Sequence, residues 1–579
     1  MSRSLSSFAQ DFRPEPPSNI DPDHLNYRTK KALASLHIIA NTLQHDTRNS
    51  HNRFMKENWL KIWPWLVSLC RCVLDRPPPT TVEGVAVAFR IVENAPVLFT
   101  YPLYPPNFND FHLLLKPILD SSPQVLALAL ELWLYGCTVE HSSLNDLTSA
   151  IGLLLEAHCA RNGPAEKLPP GPVTEAFERV IKNTERWDIP EICVKAMIHE
   201  ITKPDLICHT LRNILNVLST LARIPSIHPK LMQRDGISWA ARILAKLSSR
   251  KTYWLGRGAE FDDVAKCFLE ALQFLLYSLY YDRYNLTKAL DEGFLVTIFK
   301  SREIFIEDSR RRDPDNIHSL ANRMTFVLIQ LTPALIHRPV LVRTVRNLKK
   351  VEKLKKQLAI VDSDPFKAGY CGSLHDAWRK LKAETSRRNA IMNKIDPWPG
   401  QYTLRICGYR QCPRAHVLDT THPFLRCSGC KSEVYCSEEC HRDAWLITSS
   451  HSITCKHRRH LLGKGDSREP SSLEHATIRK QVSFDVSFPS SPYSSKINQL
   501  KNQYRLKHPE DKRILVWMDY SNHPIEMEVV TLAEAEKRIQ ILAKQHGNKI
   551  NRLGERAAAV AKIPWRFGNS QPMLAMHYD

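Results

Sequence analysis

The sequence predicts a mainly α-helical chain, with a multi-helix N-terminal domain, a short cysteine-rich module and a small α/β C-terminal unit. Its 579 residues exceed what one hydrophobic core usually organises, so several domains are expected. Apolar residues recur at three- and four-residue spacing over most of the first 395 positions, which is typical of amphipathic helices. Seven of the 15 cysteines lie within residues 407–455, and this clustering predicts a separate module there.

Residues 1–25 are rich in Ser, Pro and Asp and poor in aliphatic side chains, so we expect them to be disordered. The predicted helical domain covers residues 26–395, and its first helix carries Leu33, Leu36 and Ile39 on one face. Apolar periodicity places helices at 24–43, 54–74, 82–93, 111–119, 123–137, 173–183, 189–201 and 204–222.

Two segments within residues 190–340 have a similar sequence pattern. Residues 230–236 (KLMQRDG) and 287–293 (TKALDEG) each end on an acidic residue and a glycine, and an apolar helix follows. Glycine suits the left-handed residue that closes a helix. This pattern of a helix end, a glycine and another helix resembles armadillo or HEAT arrays. The two glycines are 57 residues apart, whereas such repeats span about 40 to 47 residues. A solenoid would offer a binding surface; an irregular helical domain is the open alternative.

The formal charge of +20 is concentrated after residue 341, where 41 Lys and Arg stand against 24 Asp and Glu. A basic helix is predicted at 343–359, with Val345, Leu348 and Val351 along one stripe, and another helix at 374–393. The charge permits contact with nucleic acid or another acidic partner, or a nuclear import signal. A solvated basic face is the simpler interpretation.

Residues 463–495 are rich in Ser, Lys and Pro, and we expect a linker. A small α/β unit is predicted at 500–565, where strands at 513–520 and 525–531 form a hairpin. Helices at 532–545 and 548–562 would cover one face of it.

The first 20 residues contain no apolar core of a secretory signal, and Glu131 interrupts the longest apolar run, 125–139. That run is shorter than the ~18 to 20 residues that a membrane span needs. We therefore expect an intracellular protein, nuclear or cytoplasmic, without membrane contact. In a reducing compartment, clustered cysteines favour metal binding over disulfides.

The cysteine-rich module offers eight soft ligands in four close pairs. They are Cys407, Cys412, Cys427, Cys430, Cys436, Cys440, His451 and Cys455. Each Zn²⁺ takes four thiolate or imidazole donors, and one tight turn can supply two of them. The pattern predicts two structural zinc ions, but the spacing alone does not say which pairs share an ion.

The ligand order, together with Tyr435-Cys436-Ser437 and Trp445 five residues after Cys440, resembles the MYND-type zinc finger. The resemblance implies an interleaved arrangement in which the first and third pairs share one zinc and the second and fourth pairs share the other. That is Cys407, Cys412, Cys436 and Cys440 against Cys427, Cys430, His451 and Cys455. Few apolar residues lie here, so zinc binding, on the order of 10 kcal/mol per site, would supply the folding free energy.

The module departs from the common family pattern at three places. The first pair has four intervening residues, five residues separate Trp445 from His451, and His441 stands where the family often has Gln. His441 and His457 are alternative ligands to His451. In the family, that Gln and the Trp border a groove for short proline-containing peptides, so the resemblance implies peptide binding. The alternative is that Trp445 packs against its own module.

No catalytic constellation is evident. Sites with four protein ligands leave no position for an activated water, and no Gly-x-Ser-x-Gly, Walker or dinucleotide-binding loop is present. We therefore expect a non-enzymatic, zinc-binding protein–protein interaction scaffold, with a role in transcriptional regulation implied by the resemblance alone. The alternatives are a nucleic-acid-associated protein that uses the basic region from 343 onward, and a SET-like methyltransferase with degenerate motifs, for which Ser521-Asn522-His523-Pro524 is the nearest string.

Overall fold

The computed structural model divides the chain into two compact units, residues 1–234 and 235–579. This division falls inside the predicted helical domain 26–395. The residues described are 5–13, 15–45, 49–100, 124–139, 144–159, 172–183, 188–203, 206, 208–224, 227–249, 258–281, 284–311, 319–357, 368–395, 407, 409, 411–412, 425–430, 433–446, 451–453, 455–456, 459, 472–489, 491–511, 513–520, 524–545, 557–563 and 573–578.

All the regular elements in the described part of the first unit are helices. Its helices are α1 (Leu5–Phe8), α2 (Tyr27–His45), α3 (Asn49–Leu74), α4 (Val82–Thr100), α5 (Val125–Thr138), α6 (Leu144–Cys159), α7 (Pro172–Asn183), α8 (Ile189–Thr202), α9 (Cys208–Ala222) and α10 (His228–Gln233). The fully buried Trp59, Trp65 and Trp133 lie in its core. The periodicity correctly placed most of these helices but missed α6, and the helix predicted at 111–119 lies outside the described residues.

The prediction of disorder for residues 1–25 is wrong for the described part of that segment. After α1, a 3₁₀ turn at Ala9–Phe12 buries Phe12 against Trp65, whose indole N–H donates to the Phe12 carbonyl at 3.2 Å. Asp11 pairs with Lys31 of α2 at 2.8 Å. The composition is polar, but the burial of Phe12 against Trp65 and the Asp11–Lys31 ion pair hold residues 9–12 against the helices.

Most of the second unit is also helical. Its helices before the cysteine-rich module are α11 (Gly236–Ser249), α12 (Gly258–Tyr281), α13 (Tyr284–Asp291), α14 (Phe294–Lys300), α15 (Arg302–Arg311), α16 (Leu320–Ala334), α17 (Arg338–Gln357) and α18 (Ala368–Ile395). The helices in the two similar segments end differently. In the second segment Gly293 is the left-handed residue, with φ of 80°, whereas in the first segment it is Asp235, with φ of 57°, and not Gly236. Asp can adopt the left-handed conformation because its short polar side chain can form local hydrogen bonds there.

The C-terminal part of this unit is a four-stranded sheet covered on two faces. The strands are β3 (Ile514–Asp519), β4 (Glu526–Thr531), β5 (Ala557–Ile563) and β6 (Met573–Tyr578), in the order β4-β3-β5-β6, where only the β3–β5 pair is parallel. Strands β1 (Leu425–Arg426) and β2 (Val434–Tyr435) belong to the cysteine-rich module. Val516 and Met518 of β3 face a core shared with Ile478 and Val482, while Leu515 and Trp517 face the helix Leu532–Gln545.

The predicted hairpin and its first helix are confirmed. The helix predicted at 548–562 is wrong over residues 557–562, which belong to β5, and residues 548–556 lie outside the described part of the chain. The alanines of this segment suggested a helix. Ala559, Val560 and Ala561 are nevertheless all fully buried, since β5 is a central strand covered on both faces. Tertiary packing overrides the local propensity here.

The linker predicted at 463–495 is also wrong within the described residues, because Ser472–Ser487 forms a helix and a second helix covers Ser494–Lys507. The first helix joins α18 through buried charges. Asp485, which is fully buried, accepts from Arg387 at 2.6 Å and from the Tyr520 hydroxyl at 2.8 Å. Arg388 donates to Gln481 at 2.6 Å. These long-range partners cannot be read from the composition of the segment.

Candidate metal centre

The cysteine-rich module is built on a two-stranded hairpin and one short helix. Strand β1 (Leu425–Arg426) pairs antiparallel with β2 (Val434–Tyr435), and the Cys427 N–H donates to the Glu433 carbonyl at 3.0 Å. The hairpin places Cys427 and Cys430 in the turn after β1 and Cys436 directly after β2. Cys440 lies on the helix α19 (Glu438–Leu446), near an N-terminus where its own N–H donates to the Ser437 hydroxyl at 3.2 Å.

The first group of four ligands consists of Cys407, Cys412, Cys436 and Cys440. The Sγ–Sγ distances are 3.4 Å between Cys412 and Cys436, 3.5 Å between Cys436 and Cys440, and 3.7 Å between Cys440 and Cys412. A tetrahedron with Zn–S bonds of about 2.3 Å puts its sulfurs ~3.8 Å apart. The four sulfurs therefore surround a point at which a zinc ion fits.

The second group consists of Cys427, Cys430, His451 and Cys455, all buried. Here the Cys427 and Cys455 sulfurs are 3.7 Å apart, and His451 Nε2 lies 3.4 Å from Cys427 Sγ. The two groups are thus the interleaved sets that the family resemblance implied, because the first and third ligand pairs form one group and the second and fourth pairs form the other.

The chemistry of the donors also fits a cation. Burial raises the pKa of the Cys407 and Cys455 thiols above the usual range, so neither sulfur would be a thiolate without a compensating positive charge. A zinc ion supplies that charge and deprotonates its ligands on binding. Each site has four protein donors, which is the closed arrangement of structural zinc.

Comparison with known proteins identifies the module, because residues 407–455 match the family model of the MYND finger. Residues 407–455 are a MYND finger. No curated protein matches the chain. A solved structure described as "Crystal Structure of Engineered Protein", from the Northeast Structural Genomics Consortium, is similar with 9% identity and a TM-score of 0.25, covering 66% of this chain and 99% of that one. Because that TM-score assigns no fold, the armadillo or HEAT resemblance of residues 190–340 stays a prediction.

The finger, residues 407–455, places His451 and not His441 among the cysteines. The His441 ring instead lies 4.7 Å from the Tyr435 ring and 6.3 Å from the Trp445 ring. The other alternative ligand, His457, lies outside the described residues. His451 lies in a helical turn at residues 451–453, and residues 447–450 of the longer spacing after Trp445 lie outside the described residues.

Sequence analysis missed the role of Gly429, which stands between the ligands Cys427 and Cys430. A Cβ atom at this position would lie 2.9 Å from the Cys455 sulfur and 3.2 Å from Cδ of Arg459. No side chain fits without displacing a zinc ligand. A glycine within a Cys-x-x-Cys turn is the signal that could have predicted this close approach.

Two large apolar side chains on α19 and one beside His451 are exposed on the finger. Trp445 is 36% exposed, and its ring lies 5.6 Å from the ring of the ligand His451. Leu446 on the same helix and Ile453 beside His451 are 66% and 67% exposed. We call Trp445, Leu446 and Ile453 the Trp445 surface. Among the described helices of the whole chain, none has the length and apolarity to cross a membrane.

Proposed function

We propose that the chain is a protein–protein interaction scaffold whose finger binds short proline-containing peptides through the Trp445 surface. The observation that carries the proposal is the exposure of three large apolar side chains on a module too small to bury them. A tryptophan with an open face is a common anchor of binding surfaces, since it offers a large contact area with little entropy to lose.

Two further contacts support this surface. His441 and Trp445 lie four residues apart on α19, and their rings meet edge to face. The ring of the zinc ligand His451 lies 5.6 Å from the Trp445 ring, so a zinc ion bound to His451 would also fix the orientation of the tryptophan. A rigid aromatic platform binds a proline ring without first having to be ordered.

We also propose that neither zinc site is catalytic, because four protein donors at each site leave no position for a bound water. The intracellular location, nuclear or cytoplasmic, and the role in transcriptional regulation stay predictions of the sequence.

The test uses the full chain and a panel of peptides of about ten residues with a central proline, each matched to a peptide with alanine in its place. We expect proline-dependent binding that Trp445→Ala weakens by about tenfold or more, the usual effect of losing a central aromatic anchor. The control Leu506→Ala, which removes an 84% exposed leucine from another part of the unit, should leave the binding unchanged.

Zinc content is measured for every variant. If Trp445→Ala retains two zinc ions and binds the peptides as the wild type does, the Trp445 surface is not the binding site. Equal binding of the proline and alanine peptides, or no binding by either set, would contradict the proposed ligand class.

A further inference from the structure

A groove of about 500 Å³ lies between α17 and α18, in the basic region of the chain and outside the finger. It is lined by Val345, Leu348, Lys349, Glu352, Lys353 and Lys356 of α17 and by Lys382, Thr385, Ser386 and Asn389 of α18. We call it the α17–α18 groove. Four lysines and one carboxylate give it a net positive charge.

The floor of the groove is apolar. Val345 and Leu348 are partly buried, and the hydroxyl of Thr385 already donates to the Leu381 carbonyl at 2.7 Å. The floor therefore offers no unsatisfied hydrogen-bonding group at these three positions. Covering this floor with an apolar surface of a ligand would be favourable. A nucleic acid backbone does not provide such a surface.

The cations stand in a row above this floor. Lys349, Lys353 and Lys356 are exposed and lie at intervals of four and three residues, so they share one face of α17. Across the groove, Lys382 is held by an ion pair with Glu352 at 2.8 Å. Among the described residues, no ion pair involves Lys349, Lys353 or Lys356.

We propose that the α17–α18 groove docks an amphipathic α-helix of a partner protein that carries acidic residues beside an apolar stripe. A helix with carboxylates three and four residues apart repeats its charges at the ~5 to 6 Å interval of the lysine row. Val345 to Lys356 spans about 16 Å of α17, which matches about three turns of a docked helix. This surface is independent of the peptide binding proposed for the finger.

The test measures fluorescence anisotropy of a labelled peptide of about 14 residues, with leucines every third or fourth position and glutamates on the adjoining face. A second peptide has the same composition in shuffled order, which removes the apolar stripe. We expect the full chain to bind the ordered peptide at least about tenfold more tightly than the shuffled one.

Two double variants separate the groove from charge in general. Lys349→Glu with Lys353→Glu reverses two groove charges, whereas Arg346→Glu with Lys350→Glu reverses two exposed charges of the same helix outside the groove. We expect the first to weaken binding by about tenfold or more and the second by no more than about threefold. Circular dichroism checks that each variant is folded. Equal losses in both variants would overturn the proposal.

Leu348→Ala tests the apolar floor without changing any charge. Loss of this contact should weaken binding of the ordered peptide by roughly tenfold. A purely electrostatic ligand would be insensitive to it. If duplex DNA binds more tightly than the ordered peptide, is lost with the Lys349 and Lys353 reversals and ignores Leu348→Ala, the groove is a nucleic acid site and the proposal is wrong.

Discussion

The finger and the C-terminal sheet belong to the same unit, yet they are held together in opposite ways. In the finger, eight side chains converge on two points, and apolar packing is limited to a small cluster around the cysteines. The C-terminal sheet has an apolar core on each face and a charge network that joins it to α18. The finger depends on a ligand, whereas the sheet depends on partners distant in the chain.

The charge network between α18 and the C-terminal sheet must be complete, because most of its charged groups are buried. Arg388 is 3% exposed, stands over the Tyr520 ring at 5.3 Å and pairs with Glu384 at 2.7 Å. A buried ion is tolerated only when all its partners are present, because its desolvation cost is several kcal/mol. The Ser472–Ser487 helix, which carries Asp485, must therefore dock on α18 with Arg387 and Arg388 in place.

Removal of one zinc ligand should give the largest effect. We expect Cys427→Ser to release about one of two zinc ions, to unfold the finger and to cost on the order of 10 kcal/mol of zinc-linked folding free energy. Elemental analysis of the purified chain measures the ions. Cys371→Ser, which changes a buried cysteine of α18, is the control and should retain both. Unchanged zinc in Cys427→Ser would show that the ligand set is wrong.

Loss of a charge from the buried network should come next. Arg388→Met leaves Asp485 and Glu384 with Arg387 as their remaining cation among the residues described, and we expect a loss of about 3 to 5 kcal/mol of stability. Urea unfolding measures it, and limited proteolysis should show early cleavage near residues 472–489. Arg379→Met, at an exposed position of the same helix, should change stability by less than about 0.5 kcal/mol. Equal stability of the two variants would mean that the network is dispensable.

The carboxyl group of Glu384 in the same network can be tested by changing the pH. Burial alone would raise the pKa of Glu384, but Arg388 and Arg387 outweigh it and lower the pKa to about 2. A lowered folded-state pKa stabilises the protein above the unfolded pKa of about 4.3, and this contribution is lost as pH falls toward about 2. It amounts to at most about 3 kcal/mol at neutral pH.

Glu384→Gln removes this titration, so the stability gap between wild type and variant should be constant from pH 7 to about pH 5 and narrow at lower pH. Urea unfolding across that range measures the gap, and the zinc content of both proteins is measured at each pH so that they are compared at equal zinc loading. A gap that stays constant down to pH 3 would show that the Glu384 pKa is not lowered.

The same contrast explains what could be predicted from the sequence. The zinc ligands were recognisable because chelation by a tight turn requires close spacing, which is a local property, and most helices of the first unit were recognisable from their periodicity. The strand Ala557–Ile563 and the helix Ser472–Ser487 were not, because their local signals are weak or misleading. Asp485 and Arg388 are 97 residues apart in the chain, and no spacing rule connects them.

The smallest expected effect concerns a residue that carries no ligand atom. Gly429→Ala would place its Cβ 2.9 Å from the Cys455 sulfur, so either the turn or the ligand must move. We expect a cost of about 1 to 3 kcal/mol, typical of overpacking, and a corresponding loss of about tenfold or more in the affinity of the second zinc site. Competition with a chelator measures this affinity.

Gly372→Ala is the matched control, because a Cβ at this exposed helical position meets no atom within 4 Å. It should leave zinc affinity unchanged and change stability by less than about 0.5 kcal/mol, since the position is exposed and lies beside the non-helical backbone of Cys371 and not in a helix interior. If Gly429→Ala binds both zinc ions as tightly as Gly372→Ala does, the Cys427–Cys430 turn can relax at no cost. The second site would then be held by its four ligands alone, without help from the close packing of the backbone around them.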